Sequence, residues 1–351
     1  MFAPGGGEPG AGAGEELVDA ARRVASDVLA PGAAATDQAD IVPDDNLRAL
    51  AEAGLFGVFA PDPVPTRFSR EIFETLAGAC GVTFFVWVQH HAPVRLLVGS
   101  SNSGLRDRLL PRLSSGEMLG GVAFAHLRRH GPPAIAAHPV DGGYVFTGEA
   151  PWVTSWGLAG VYAVAALTED GRVVFAAVPG DARGLSPSPP LPLAVMNASS
   201  TVRLGFDRVE VASEDVIVEE PLATWQERDR TVTAQPNPAA FGVAATCVRL
   251  LEGGWAPFAS ELADCRDQSY GRADSPAPDI DELVALRAWS LELAMRCAYA
   301  LVVASGGRSM LLSHPAQRLS REASFYAIQA QTGALRGASL DRLIAPPRPD
   351  G

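Results

Sequence analysis

The chain is short of charge and of cysteine. Charged residues make up 19% of its 351 positions, and four cysteines are present, Cys80, Cys247, Cys265 and Cys297. They are widely spaced and contain no CxxC pair, so no zinc-ligand spacing can be built; they read as buried free thiols of a reducing compartment. No apolar run reaches membrane-spanning length, which excludes a spanning helix. The first residues lack both a basic stretch and an apolar core, which argues against a secretory signal. Residues 1–14, rich in Gly, Ala and Pro, are expected to be a disordered tail, and the cytoplasm is the expected location. Positive charge is in deficit as well. A net charge of −12 and a pI near 5 argue against nucleic acid and anionic membrane surfaces. They exclude an acidic small molecule only weakly, since local arginine clusters can override the net sign.

What is present is a globular balance. Hydrophobic residues make up 47%, and the length suffices for two or three structural units around a sizeable core. Leu17, Ala21, Val24 and Val28 share one face, which predicts a helix over 15–29 ended by Pro31. Further helices are expected over 47–53, stopped at Gly54, over 69–79, over 83–98 with a break at Ala92-Pro93, and over 105–113. After residue 217 the pattern predicts a crossing segment over 218–238, then helices over 239–251, over 255–267 with an interruption at Pro257, over 281–304 and over 315–331, with a loop over 270–278. The excess of Ala, Leu, Val and Phe on the two last helices exceeds what one buried face needs and predicts self-association.

Between the helical halves, residues 120–217 read as a β-domain. Asp141-Gly142-Gly143 is a turn between extended runs over 135–140 and 144–147. The apolar runs 161–167 and 172–178, joined by Thr168-Glu169-Asp170-Gly171, predict a second hairpin with a strand partly or wholly buried on both faces. Pro-rich 186–192 reads as a surface loop. Val202, Leu204 and Phe206 alternate with polar or small residues as in a half-exposed strand. The expected units are therefore a helical domain over 15–119, a β-domain over 120–217 and a helical domain over 218–351.

The order of the runs Leu109 to Glu117, Gly120 to His126, Asp141 to Gly148, Trp152-Val153-Thr154-Ser155, Ser200 to Val211, Ser305-Gly306-Gly307 and His314 to Ala323 resembles the acyl-CoA dehydrogenase superfamily, over roughly residues 15–343. The resemblance implies an α+β fold: a helical N-terminal domain, a middle β-barrel and a C-terminal four-helix bundle. It implies FAD lying against the β-domain, with Trp152 packed on the flavin ring and the Thr154 hydroxyl donating toward its edge, and with Ser155, Phe124 and Ala125 beside them. It implies an acyl-CoA or other small-molecule substrate, and a homodimer, a homotetramer or a hetero-oligomer with a paralogue. Residue by residue, another reading stands beside it: Trp152 and Trp156 as core aromatics, and Thr154 as a strand residue satisfied by backbone.

Four departures from the family pattern matter. Where the family carries Thr-Glu-Pro and Gly-Ser-Asp, this chain has Ala125-His126-Leu127-Arg128-Arg129-His130-Gly131-Pro132, with Ala125 at the Thr position. The usual catalytic Glu falls on Ala330, and the alternative location over 231–238 holds no carboxylate. The Arg that reaches flavin pyrophosphate falls near Phe258, with Arg266 further on. The Gln before the paired glycines is Val303. Without the base, α,β-dehydrogenation loses a group worth roughly a hundred- to ten-thousand-fold in rate. The expected function is an FAD-dependent oxidoreductase of this type. The alternatives are a flavin monooxygenase, for which His90, His91 and His126 are the residues of interest, and a non-catalytic binding subunit.

Overall fold

The computed structural model describes residues 11–344 apart from 61, 129, 130, 132, 133 and 252–254. The first helix does not stop at Pro31. α1 (Ala11–Val24) passes through a π-turn (Ala25–Leu29) into α2 (Ala30–Asp37). The wider π-turn makes room for the pyrrolidine ring, which would clash in a continuing α-turn. α3 (Asp44–Glu52) ends at Gly54, whose φ is 71°. α4 (Thr66–Ala79) leads to α5 (Gly81–Val98), which runs unbroken through Pro93. Phe84, Trp87, Val94 and Leu97 bury most of its circumference, and that packing overrides the local break. α6 (Ser103–Ser114) starts at Asn102, whose side chain accepts from the Leu105 N–H at 3.1 Å.

Eight strands follow: β1 (Gly120–Ala123), β2 (Ile135–Val140), β3 (Gly143–Val153), β4 (Val161–Leu167), β5 (Arg172–Pro179), β6 (Leu185–Pro187), β7 (Val202–Ala212) and β8 (Val216–Pro221). They form one sheet in the order β6-β7-β3-β2-β4-β5-β8, with β1 parallel to β4. The β2–β3 turn carries Gly142 at φ 82°, the left-handed conformation that glycine adopts without strain. Part of the expected loop at 186–192 is an edge strand instead: Leu185–Pro187 pairs with β7, at the sheet edge where a proline is tolerated. β4 and β5 are covered on both faces. Val161, Ala163, Phe175 and Ala177 pack with Leu97, Leu105 and Leu109 of α5 and α6, while Tyr162, Val164, Val174 and Ala176 pack with Phe146, Leu204 and Val209. Two-sided burial explains their unbroken apolar sequences.

The expected crossing segment is ordered. β8 carries the sheet to Pro221 and α7 (Leu222–Ala234) follows at once. α8 (Pro238–Leu250), α9 (Ala256–Ala273), α10 (Ile280–Ser305), α11 (Pro315–Ile328) and α12 (Gly333–Ile344) complete the chain. Pro257 begins α9 rather than interrupting it. α9 also runs into the expected loop at 270–278, and α12 lies beyond the last helix the sequence suggested.

N- and C-terminal helices share one core, including Leu29, Leu50, Ile72, Trp87, Phe241, Leu291 and Tyr326. α4 and α8 meet backbone to backbone. A Cβ on Gly242 would lie 2.1 Å from the Glu74 carbonyl oxygen, and one on Gly78 2.6 Å from Thr246 Oγ1. A hydrogen bond and an ion pair tie α11 to the N-terminal helices. Arg318 donates to both oxygens of Glu322 at 2.8 and 2.9 Å, and Glu322 also accepts from the first N–H of α5, Gly81, at 3.1 Å. Arg321 forks onto Asp37 of α2.

Candidate functional site

Strand alternation sets the end of β3. Val153 faces the core, fully enclosed, while Trp152 is 47% exposed. The chain then turns sharply. Ser155 adopts φ 67°, its N–H donates to the Ser199 carbonyl at 2.8 Å, and its own carbonyl accepts from Tyr162 Oη at 2.8 Å. Met196 and Ser200, at φ 65° and 49°, are left-handed in the segment that faces it. Such conformations in non-glycine residues cost of order 1–3 kcal/mol each and persist where surrounding contacts over-determine them.

Thr154 and Ser155 are buried. Thr154 Oγ1 lies 3.2 Å from Thr201 Oγ1, which lies 2.8 Å from Ser199 Oγ, so three hydroxyls form a chain beneath the tryptophan's strand. Ala125 is exposed and opens a 3-10 turn (Ala125–Arg128) that packs on β3. Phe124 turns elsewhere: its ring meets Phe175 edge-on at 5.6 Å, on the face that meets α5 and α6. Among the five residues expected at a flavin, Trp152 and Ala125 are thus exposed, Thr154 and Ser155 lie beneath them, and Phe124 belongs to the sheet's helix-facing core.

The turn is held from the other side. Arg128 forks onto Asp229 of α7 at 2.8 and 2.7 Å. Arg129, His130 and Pro132 lie outside the described residues. Both stretches where the resembled family sets its base are clamped by one side chain, Arg287 of α10. It donates to the carbonyls of Thr233 at 2.7 Å, Gln235 at 3.1 Å and Gln329 at 3.3 Å. Burial, with some help from the Arg128 charge, lowers its pKa to about 10. Ala330 follows Gln329 at φ 53° and offers no proton acceptor. Asp229 is committed to Arg128. Sequence reasoning missed Arg287, yet a signal existed: it sits in the buried row Leu283, Val284, Ala288, Leu291 of α10, where a charge demands partners.

The three histidines are enclosed. His90 Nδ1 accepts from the Gly120 N–H at 2.9 Å, and its ring meets Phe56 edge-on. His91 sits among Phe59, Phe73 and Trp87. Burial lowers the His90 pKa to about 3 and takes His91 well below the ordinary value. His126 Nε2 lies 3.0 Å from the Ala165 carbonyl oxygen. Phe258 packs near the start of α9, and Arg266 is bound to Glu74 at 2.8 Å.

Residues 13–117 match the family model described as acyl-CoA dehydrogenase, N-terminal domain. Isovaleryl-CoA dehydrogenase of Oryza sativa subsp. japonica, a mitochondrial protein, is 24% identical over 93% of this chain and 90% of its own. Butyryl-CoA dehydrogenase from Megasphaera elsdenii superposes with a TM-score of 0.78 at 17% identity, covering 98% of this chain and all of that one. A dibenzothiophene monooxygenase from Paenibacillus superposes with a TM-score of 0.75 at 13% identity, over 94% of this chain and 97% of the other.

Proposed function

We propose that the chain is a member of the acyl-CoA dehydrogenase superfamily and an FAD-dependent oxidoreductase acting on the CH–CH bond of an acyl-CoA or related thioester, a reading supported by the N-terminal family match and the full-length relatives. The observation that carries the reading is the exposed indole of Trp152 near the end of β3, the strand on which the turn opened by the exposed Ala125 packs. A bound flavin supplies a hydride acceptor. This chain's own residues supply a flat apolar surface for it and a polarised hydroxyl chain. If Ser199 donates to Thr201 and Thr201 to Thr154, the Thr154 hydrogen remains free to donate outward, strengthened by the two bonds behind it. Such a donor favours the reduced, anionic ring. The residues fit the cofactor in part, because the pyrophosphate-binding arginine has no counterpart at Phe258. A reducing cytoplasm suits the four buried free cysteines.

One observation favours a second reading, a flavin monooxygenase. Neither stretch held by Arg287 carries a carboxylate, and Asp229 is paired, so α-proton abstraction lacks an evident base. Titrating the purified protein with FAD separates these from a non-catalytic binding subunit. The flavin readings require visible absorbance that saturates at tens of micromolar FAD. Trp152→Ala should weaken uptake and cost little stability, because the ring is half exposed. Thr154→Val should leave uptake nearly intact and lower the flavin reduction potential. A protein that takes up no FAD ends both enzyme readings. Reduction by an acyl-CoA panel supports the dehydrogenase, and oxygen consumption by the pre-reduced protein supports the monooxygenase.

A second copy of the chain is the proposed occupant of an apolar patch at the end of α10 and the turn after it. Tyr299, Val303, Met310, Leu311 and Leu312 are each more than half exposed there. Sedimentation at micromolar concentration should give a dimer or tetramer, reduced to monomer by Val303→Asp. A monomeric wild type would refute this.

A further inference from the structure

Between the π-turn, α4, α8 and α9 lies a groove of about 850 Å³ that contains no residue of the β-domain. Its floor is small-residue surface. Ala25, Ala30, Gly78, Ala79, Gly242 and Ala245 line it, and the glycine contact between α4 and α8 keeps it shallow and closed beneath. The π-turn places Ala25 and Ser26 on one wall; such turns are frequent at functional sites.

The rim is cationic in a chain of net charge −12. It carries Arg22, Arg67, Arg70, Arg249 and Arg266, against Glu71, Glu74 and Asp274. Each of these carboxylates is already committed. Arg70 forks onto Asp274 at 2.7 and 2.9 Å while stacked over the Tyr270 ring at 4.4 Å. Arg266 holds Glu74 at 2.8 Å, Tyr270 Oη donates to the same carboxylate at 2.7 Å, and Arg22 pairs with Glu71 as well as with Asp19 outside the groove. Arg67 lies over the Phe68 ring at 4.4 Å. Arg249, exposed in the last turn of α8, has no carboxylate partner among the described residues. The chain has no lysine, so an anion here meets arginine's planar fork of donors.

We propose that this groove binds a small amphipathic anion, its aliphatic body on the alanine–glycine floor and its phosphate or carboxylate head on Arg249. An aromatic ligand fits less well, because the one aromatic ring lining the groove among the described residues, that of Tyr270, is covered by Arg70. The proposal is independent of the flavin reading, since none of Phe124, Ala125, Trp152, Thr154 and Ser155 lines the groove.

Calorimetric titration with hexyl phosphate and with octanoate tests it, with inorganic phosphate as the head alone. One saturable site is expected for at least one alkyl anion, at least tenfold tighter than for inorganic phosphate. Binding of one and not the other identifies the head. Arg249→Gln removes the charge and Ala245→Leu fills the floor. Both positions are at least partly exposed, so thermal melts should match the wild type, and each variant should weaken binding tenfold or more. Absence of saturable binding, equal affinity for inorganic phosphate, or either variant binding as tightly as the wild type overturns the proposal.

Discussion

Unfolding free energy is expected to fall steeply in acid, between about pH 6.5 and 3, because of His90 and His91. Both imidazoles are neutral in the fold. His90 Nδ1 accepts the Gly120 N–H, so its proton sits on Nε2, and His91 is ringed by aromatic faces and edges. Among the described residues neither site offers a protonated ring an anionic partner, and Arg95 on the same helix opposes a charge on His91. Within this window the unfolded chain holds a proton that the folded His90 does not. Stability therefore rises with pH across it, is complete above about 6.5, and is lost as pH falls, by roughly 1.4 kcal/mol per unit for each histidine. Glu74 acts in the opposite sense: burial raises its pKa, so the fold binds that proton more tightly. His91→Phe keeps a ring in the aromatic setting and removes one titration. Urea denaturation at pH 7 and pH 5 should show about half the acid loss in this variant. The same loss in variant and wild type would show that His91 does not contribute.

Arg318→Met should cost about 3–5 kcal/mol at neutral pH, since it strands Glu322 in the core with the Gly81 N–H as its remaining hydrogen-bond donor among the described residues. The side chains are 7% and 2% exposed, so water cannot take the lost partner's place. Arg318→Met combined with Glu322→Leu removes both charges and should recover much of the loss, because each lone charge is worse than neither. Denaturant midpoints decide this. A single variant within about 1 kcal/mol of the wild type, well under the cost of a stranded buried charge, would mean that the carboxylate finds another partner or a proton.

Much of the architecture was legible in residue patterns. Val161 to Leu167 and Arg172 to Val178 announced strands buried on both sides, and Asp141-Gly142 announced the turn between β2 and β3. The failures share a cause. Pro31, Pro93 and Pro257 each read as a stop, and each is accommodated, by a π-turn, by packing around α5, or by placement at a helix start. α7 was missed because its apolar periodicity is weak and its position is set by contacts with β5, β8 and α10. At the candidate site, Trp152 stood out through the family resemblance, whereas the abrupt turn at Ser155 had no signal in the sequence. The depth of Thr154 was not legible, because it depends on Thr201 and Ser199, which lie over forty residues later in sequence. Arg287 was legible as a misplaced charge, but its three carbonyl partners come from two separate segments that only the fold brings together.

The shared core of the N- and C-terminal helices has a consequence for synthesis. Ile72, Trp87 and their neighbours pack against Phe241, Leu291 and Tyr326, with the whole β-domain intervening in the chain. When the ribosome has finished α5, the helices that will cover it have not been made. At roughly 5–20 residues per second, α8 arrives about seven to thirty seconds later and α11 later still. Until then a broad apolar face of the nascent chain is open to solvent and to chaperones. The match over residues 13–117 therefore marks a unit of sequence rather than one that can fold alone, and cutting the gene after α6 should release an aggregating fragment instead of a domain.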